Sequence, residues 1–161
     1  MLSEALTAIE QWPVAAALRA GRWSYAAVNG AHVVGIALLF GAIVPLDLRL
    51  IGFWRQVSIR TLARVLVPVA VAGLLLAIAA GSLMFSIRAS EYASKPVFLI
   101  KLALIVCAVA NALLLRRILQ WETSQDVMNV APPTRLRIAG ALSIGLWLGV
   151  IASGRSIAFV D

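Results

Sequence analysis

Three nitrogen bases, His32, Lys101 and Arg155, fall inside long apolar runs of the chain, where an ionisable side chain is expensive and calls for a partner. His32 is the sole histidine, so no site needing two imidazoles can be built from one copy. Its ring can ligate a metal, relay a proton or simply hydrogen-bond between helices. Lys101 and Arg155 are cations, and a charge in a low-dielectric layer must find a counter-charge or neutralise. Asn29 precedes His32 by about one helical turn and Gly35 follows it, which puts a polar tip and a bare backbone on the histidine's face. Cations with no acid in the same runs favour an anionic ligand. Haem b fits that chemistry, with His32 as the iron ligand and Lys101 and Arg155 pairing with the propionates. A quinone or another anionic metabolite would satisfy the cations without a metal. Plainer uses also stand: a packed or lining histidine, and two cations reaching back to the headgroups.

The elements that hold these residues follow from composition. Of 161 residues, 62% are apolar and 13% charged, with a mean hydropathy of +0.96. Soluble domains carry about 25% charged residues, so neither a soluble globular nor a disordered chain fits. Four runs are long enough to cross a hydrocarbon core, which takes about 20 residues. They extend approximately over 24–46, 65–87, 96–115 and 138–160. Continuous apolar runs of this length satisfy their backbone groups as helices, not as alternating barrel strands. The predicted fold is therefore all-α, an integral membrane four-helix bundle forming a single domain.

Depth follows from the same arithmetic. His32 lies eight residues inside the Ser24 border, about 12 Å at 1.5 Å per residue. Lys101 is five residues from Pro96 and Arg155 five from Val160, each about 7 to 8 Å deep. The three share one layer on three helices. Ser82, Met84, Ser86, Arg88, Glu91, Tyr92 and Lys95 cluster near the same end, and the expected site is a pocket opening there.

The net charge of +7 needs no nucleic-acid partner, because its distribution is topological. The loops after the first and third runs carry eight Lys and Arg, against five in the N-terminal segment, the second loop and the C-terminal end. The excess predicts loops one and three in the cytoplasm, both termini outside, and a site that faces outward from an inner membrane. The N-terminus lacks the basic start of a cleavable signal peptide and is expected to stay. Leu2, Leu6, Ile9, Trp12 and Val14, mixed with Glu4, Glu10 and Arg19, suit a short interfacial helix with a bend at Trp12-Pro13. Trp12, Trp23, Tyr25 and Tyr92 suit one aromatic belt, and Trp54 and Trp121 the other. Trp147 falls in mid-span. The stretch from Gln120 to Thr134 reads as a loop.

Small residues at four-residue spacing, Gly73, Ala77 and Gly81 in one run and Ala141, Gly145, Gly149 and Ser153 in another, predict close helix packing. That packing joins helices within one chain or between copies in a homo-oligomer. Asp47 and Arg49 are expected to anchor the inner end of the first helix through pairing and loop contacts, and Asn111 to hydrogen-bond between helices. Cys107, the sole cysteine, is expected to be buried and forms no intrachain disulfide.

The run His32-Val33-Val34-Gly35, followed by Phe40-Gly41 and Leu46-Asp47-Leu48-Arg49-Leu50 to Gly52, resembles the first-span signature of a family of small bacterial four-helix inner-membrane proteins. Tyr92, Lys95-Pro96, Phe98, Lys101, Asn111 and Gly154-Arg155-Ser156-Ile157-Ala158 resemble it too. More remotely, a first-span histidine followed by a third-span lysine is similar to HemJ-type protoporphyrinogen oxidases and CopD-type copper-resistance membrane proteins. The HemJ likeness implies haem binding at His32 and Lys101. Two functional classes follow: a haem-binding redox component, or a non-enzymatic membrane subunit or transport accessory that binds an anion, a metal or a partner protein.

Overall fold

The computed structural model describes residues 2–122 and 132–157. Within them every regular element is a helix: α1 Leu2–Glu10, α2 Pro13–Ala20, α3 Arg22–Ile51, α4 Ile59–Ile87, α5 Ala89–Ser94, α6 Pro96–Glu122 and α7 Thr134–Ser156. Four of these, α3, α4, α6 and α7, are long and apolar enough to cross a membrane. The molecule is a multi-pass membrane four-helix bundle.

The break between α1 and α2 falls at Trp12-Pro13, with Pro13 opening α2, where its missing N–H costs nothing. The first span runs further than its apolar stretch. Leu46 to Ile51 continue α3 until Gly52, whose φ of 123° ends the helix in a conformation that glycine tolerates. At the start of α4, Ser58 caps the helix by accepting from the Thr61 N–H at 3.1 Å. The fourth span starts earlier than expected, at Thr134 after Pro132-Pro133, and its expected end at Val160 lies outside the described residues. So does most of the expected loop from Gln120, although α6 continues to Glu122.

α3 is the central helix: it packs against α4 on one side and α7 on the other, and α7 in turn packs against α6. The backbones of α4 and α6 do not approach within 8 Å among the described residues. These two helices meet through aromatic rings instead. Phe85 of α4 and Phe98 of α6 stack at 5.3 Å, and Tyr92 of α5 tilts against both.

The core is small, as lipid-facing helices permit. Leu39, Ala108, Trp147 and Val150 form one buried cluster and Leu50, Leu115 and Leu136 a second. Leu99, Ile100, Val106, Leu113 and Leu114 of α6 are exposed and face lipid. Cys107 is exposed too, contrary to the sequence expectation, because it lies on that lipid-facing side of α6.

The small-residue stripes divide. A Cβ on Gly73 would lie 2.5 Å from the Leu39 nitrogen, so α4 does press its glycines onto α3. On α7, Gly149 faces the Leu104 side chain, whereas among the described residues nothing lies within 4 Å of a Cβ on Gly145. The buried stripe of α7 is instead Leu136, Gly140, Ser143, Trp147 and Val150. In lipid, a small residue is as comfortable on the outer face as on the packed one.

Candidate functional site

His32 sits on the α3 face that meets α4. Its Nδ1 is 2.8 Å from the carbonyl oxygen of Ala77. A carbonyl oxygen only accepts, so Nδ1 carries the proton and donates, and Nε2 is left as the basic nitrogen. The ring lies against Gly81, one turn beyond Ala77: a Cβ there would stand 3.0 Å from Cε1 and 3.3 Å from Nδ1. Ala77 thus fixes the tautomer, and Gly81 supplies the space.

Lys101 of α6 is half-buried and lies along α7. Its Nζ is 3.4 Å from the position of a Cβ on Gly154, the residue before Arg155. The absent side chain of Gly154 lets the lysine stem lie across the helix. Among the described residues the Lys101 ammonium makes no hydrogen bond or ion pair. It is close enough to His32 for the two to interact electrostatically. Arg155 is exposed at the C-terminal turn of α7, beside the glycine that seats Lys101, and Asn29 is exposed on α3. His32 and Lys101 are therefore brought into one neighbourhood, with Arg155 at its edge by sequence adjacency.

The sequence places His32 in a pocket at this end of the bundle, but His32 is not in the lining of the cavity found there. An open cavity of about 800 Å³ lies where α2, the start of α3, the end of α4 and α5 meet, lined by Arg19, Arg22, Tyr25, Met84, Arg88 and Tyr92 among others. Arg19 holds these pieces together. Its guanidinium donates to the Ile87 carbonyl at 3.1 Å and to the Glu10 carbonyl at 2.5 Å. Nearby, the Glu10 carboxylate accepts from the Ser90 backbone N–H at 2.8 Å, which holds it below the usual carboxylate range. Burial pushes the Tyr92 phenol up from its ordinary value. Arg88 pairs with Glu91 at 3.1 Å, and Lys95 reaches the same carboxylate at 3.6 Å. Met84, Arg88 and Tyr92 belong to the polar cluster that the sequence places at this end, whereas Arg19 registered in the interfacial helix and Arg22 only as an orientation charge. Their proximity to Tyr25 and the α2 bend was the available signal.

A second polar level lies at the opposite end of the bundle. Asp47, expected at the border of the first span, is inside α3 and only 2% exposed. The expectation that the spans hold no acid is corrected here. Asp47 lies 15 residues beyond His32, about 22 Å along the helix axis, too far to neutralise Lys101 and Arg155. Ser143 of α7 supplies the hydroxyl that interacts with the Asp47 carboxylate, and among the described residues the Asp47 Oδ2 has no hydrogen-bond partner. Trp147, one turn after Ser143, has a buried Nε1 that also lacks one among the described residues. Arg49 anchors the following loop, donating to the Val57 carbonyl at 2.5 Å and the Arg55 carbonyl at 3.2 Å. Asn111 bridges α6 to α7 as expected, donating to the Ala139 carbonyl at 3.1 Å. Among the described residues no group of three or more His, Cys, Asp or Glu forms a metal cage. An iron site here would rest on a single imidazole.

Compared with protein-family models, curated proteins and solved structures, the chain matches none.

Proposed function

We propose that this multi-pass membrane protein is a haem-binding redox component whose iron ligand is Nε2 of His32. The observation that carries the reading is the 2.8 Å hydrogen bond from His32 Nδ1 to the Ala77 carbonyl. Metal-ligating histidines are commonly held this way: the second ring nitrogen donates to a carbonyl or carboxylate, which fixes the ring and raises the basicity of the ligating nitrogen. Lys101 adds the second requirement, an ammonium that among the described residues has no anionic partner. It would pair with a propionate, and Arg155, one residue from the Lys101 seat, with the other. Asn29 lies on the approach to the histidine face and would hydrogen-bond the group's polar edge.

Bound haem would supply one-electron transfer. The chain's own part is to orient the imidazole through Ala77 and Gly81 and to offer cations to the carboxylates. With one histidine per chain, His32 would supply the single imidazole held by the iron.

The basic residues Arg49, Arg55, Arg60 and Arg64 support an orientation with the α3–α4 loop in the cytoplasm of a bacterial inner membrane and both termini outside. The site would then open outward. Cysteine labelling at positions 56 and 90 checks this: outside reagent should reach 90 and spare 56, and the reverse pattern would invert the site.

For the cofactor, the test is the Soret absorption of protein purified after haem-replete expression. His32→Ala should abolish it with helicity and monodispersity retained, and Lys101→Ala should weaken haem retention more than stability. Folded wild-type protein that stays colourless and takes up no added haemin would remove the haem reading and leave a non-enzymatic, anion-binding subunit.

A further inference from the structure

The cavity at the α2–α3 bend is built for an anion and belongs to none of the haem contacts. Its volume of about 800 Å³ is in the range of small-ligand pockets, and three guanidiniums, Arg19, Arg22 and Arg88, contribute to its wall. The charges beside it do not cancel them. Arg88 shares Glu91 with Lys95, and Arg19 is bonded to two carbonyl oxygens, which carry no formal charge, with Glu10 nearby. Arg22 makes no hydrogen bond or ion pair among the described residues. The backbone contributes as well. Ala20 and Gly21 line the pocket immediately before α3, a 30-residue helix whose first turn has no side-chain cap. Its free N–H groups and positive dipole end favour a phosphate-like group.

Position narrows the class of anion. The pocket lies where two membrane-spanning helices end, at headgroup depth, and its Arg22 is followed by the exposed Trp23. Its wall is also half apolar in kind: Leu18, Met84 and Ile87 stand beside the arginines. A ligand that is charged at one end and aliphatic at the other matches both surfaces.

We infer that this pocket holds the phosphodiester headgroup of an anionic phospholipid, with Arg22 and Arg88 on the phosphate and the glycerol and upper acyl chain against Leu18, Met84 and Ile87. Arg19 is the structural member, since it ties α1 and α2 to the end of α4. The site does not depend on haem or on which leaflet it faces.

The test is native mass spectrometry of the protein released from nanodiscs of equimolar phosphatidylglycerol and phosphatidylcholine. Wild-type protein should retain phosphatidylglycerol in excess over the neutral lipid. Arg22→Gln, which breaks no internal contact, should lower that excess about fivefold, near the worth of one basic residue at a membrane surface. Arg22→Gln with Arg88→Gln should bring retention close to that of phosphatidylcholine. Arg60→Gln with Arg64→Gln removes the same charge at the other membrane face and should leave the preference intact. Equal retention of both lipids by wild-type protein, or equal loss in the two double variants, would overturn the site. Full displacement of the lipid by millimolar inorganic phosphate would do so too, assigning the pocket to a free anion.

Discussion

Gly35 of α3 and Gly73 of α4 face each other with no room for a side chain on either. A Cβ on Gly35 would lie 2.9 Å from the Gly73 carbonyl oxygen, and one on Gly73 would lie 2.8 Å from the Gly35 oxygen. His32 is about a turn before Gly35, and Ala77 is a turn after Gly73, so this backbone contact sets the distance over which the imidazole reaches its carbonyl. The packing contact and the candidate ligand are one construction.

Gly73→Ala should therefore push α3 and α4 apart and cost about 1 to 3 kcal/mol, the usual range for overpacking a tight contact. Gly145→Ala, where no described residue lies within 4 Å, serves as the matched control and should not lower stability. Thermal unfolding in detergent checks both. Equal midpoints for the two variants would show that the glycine contact does not hold the helices.

The four spans were legible because continuous apolar runs admit only one economical backbone solution in lipid. Which face of each helix turns inward was not. In a soluble protein, polarity marks the outer face, but here lipid and core are equally apolar. Gly145 and Gly73 look alike in the sequence and differ completely in surroundings, and Cys107 shows the same ambiguity. His32 and Lys101 were legible as costly polar residues in apolar runs. The partner of His32 was not, since a backbone carbonyl leaves no mark in sequence. Asp47 was visible but misplaced, because a helix extends beyond its apolar stretch until a glycine ends it.

The buried Asp47–Ser143 pair yields a second prediction. Ser143 is 5% exposed and Asp47 2%, so Ser143→Ala would leave the carboxylate without its hydroxyl partner in a place water does not reach. The expected cost is about 1 to 3 kcal/mol, the penalty for an unsatisfied buried polar group. In an Asp47→Leu background the same Ser143→Ala change should cost much less, because its partner is already gone. A double-mutant cycle with no coupling energy would dissolve the pair.

The clasp between α1 and α5 should respond to acid. The Ser90 N–H holds the Glu10 carboxylate below its ordinary range, so the folded form binds its proton less readily than the unfolded one. The stabilisation is then complete above the unfolded value, about 4.3, and is lost as pH falls through the depressed folded value. Hydrogen exchange of α1 peptides, corrected for the intrinsic pH dependence, should show loosening in that acid window while α3 stays protected. Glu10→Gln keeps an acceptor for Ser90 but cannot titrate, and should flatten the response. Acid loosening that persists in Glu10→Gln would assign it to another group.

The last prediction separates the histidine's orientation from its presence. Gly81→Ala keeps His32 but places a methyl where the ring now lies, 3.0 Å from Cε1 and 3.3 Å from Nδ1. The ring must tilt, and the bond to the Ala77 carbonyl must lengthen or break. If His32 ligates haem, loss of that supporting bond should weaken affinity about 10- to 100-fold, the usual effect of removing a ligand's hydrogen-bond partner. Haemin titration of detergent-purified protein measures it. The stability loss should be smaller than that of Gly73→Ala, because Gly81 meets a side chain that can swing, whereas Gly73 meets backbone. Undiminished haem affinity in Gly81→Ala would show that the Ala77 carbonyl does not orient a ligand, and would withdraw the observation on which the haem reading rests.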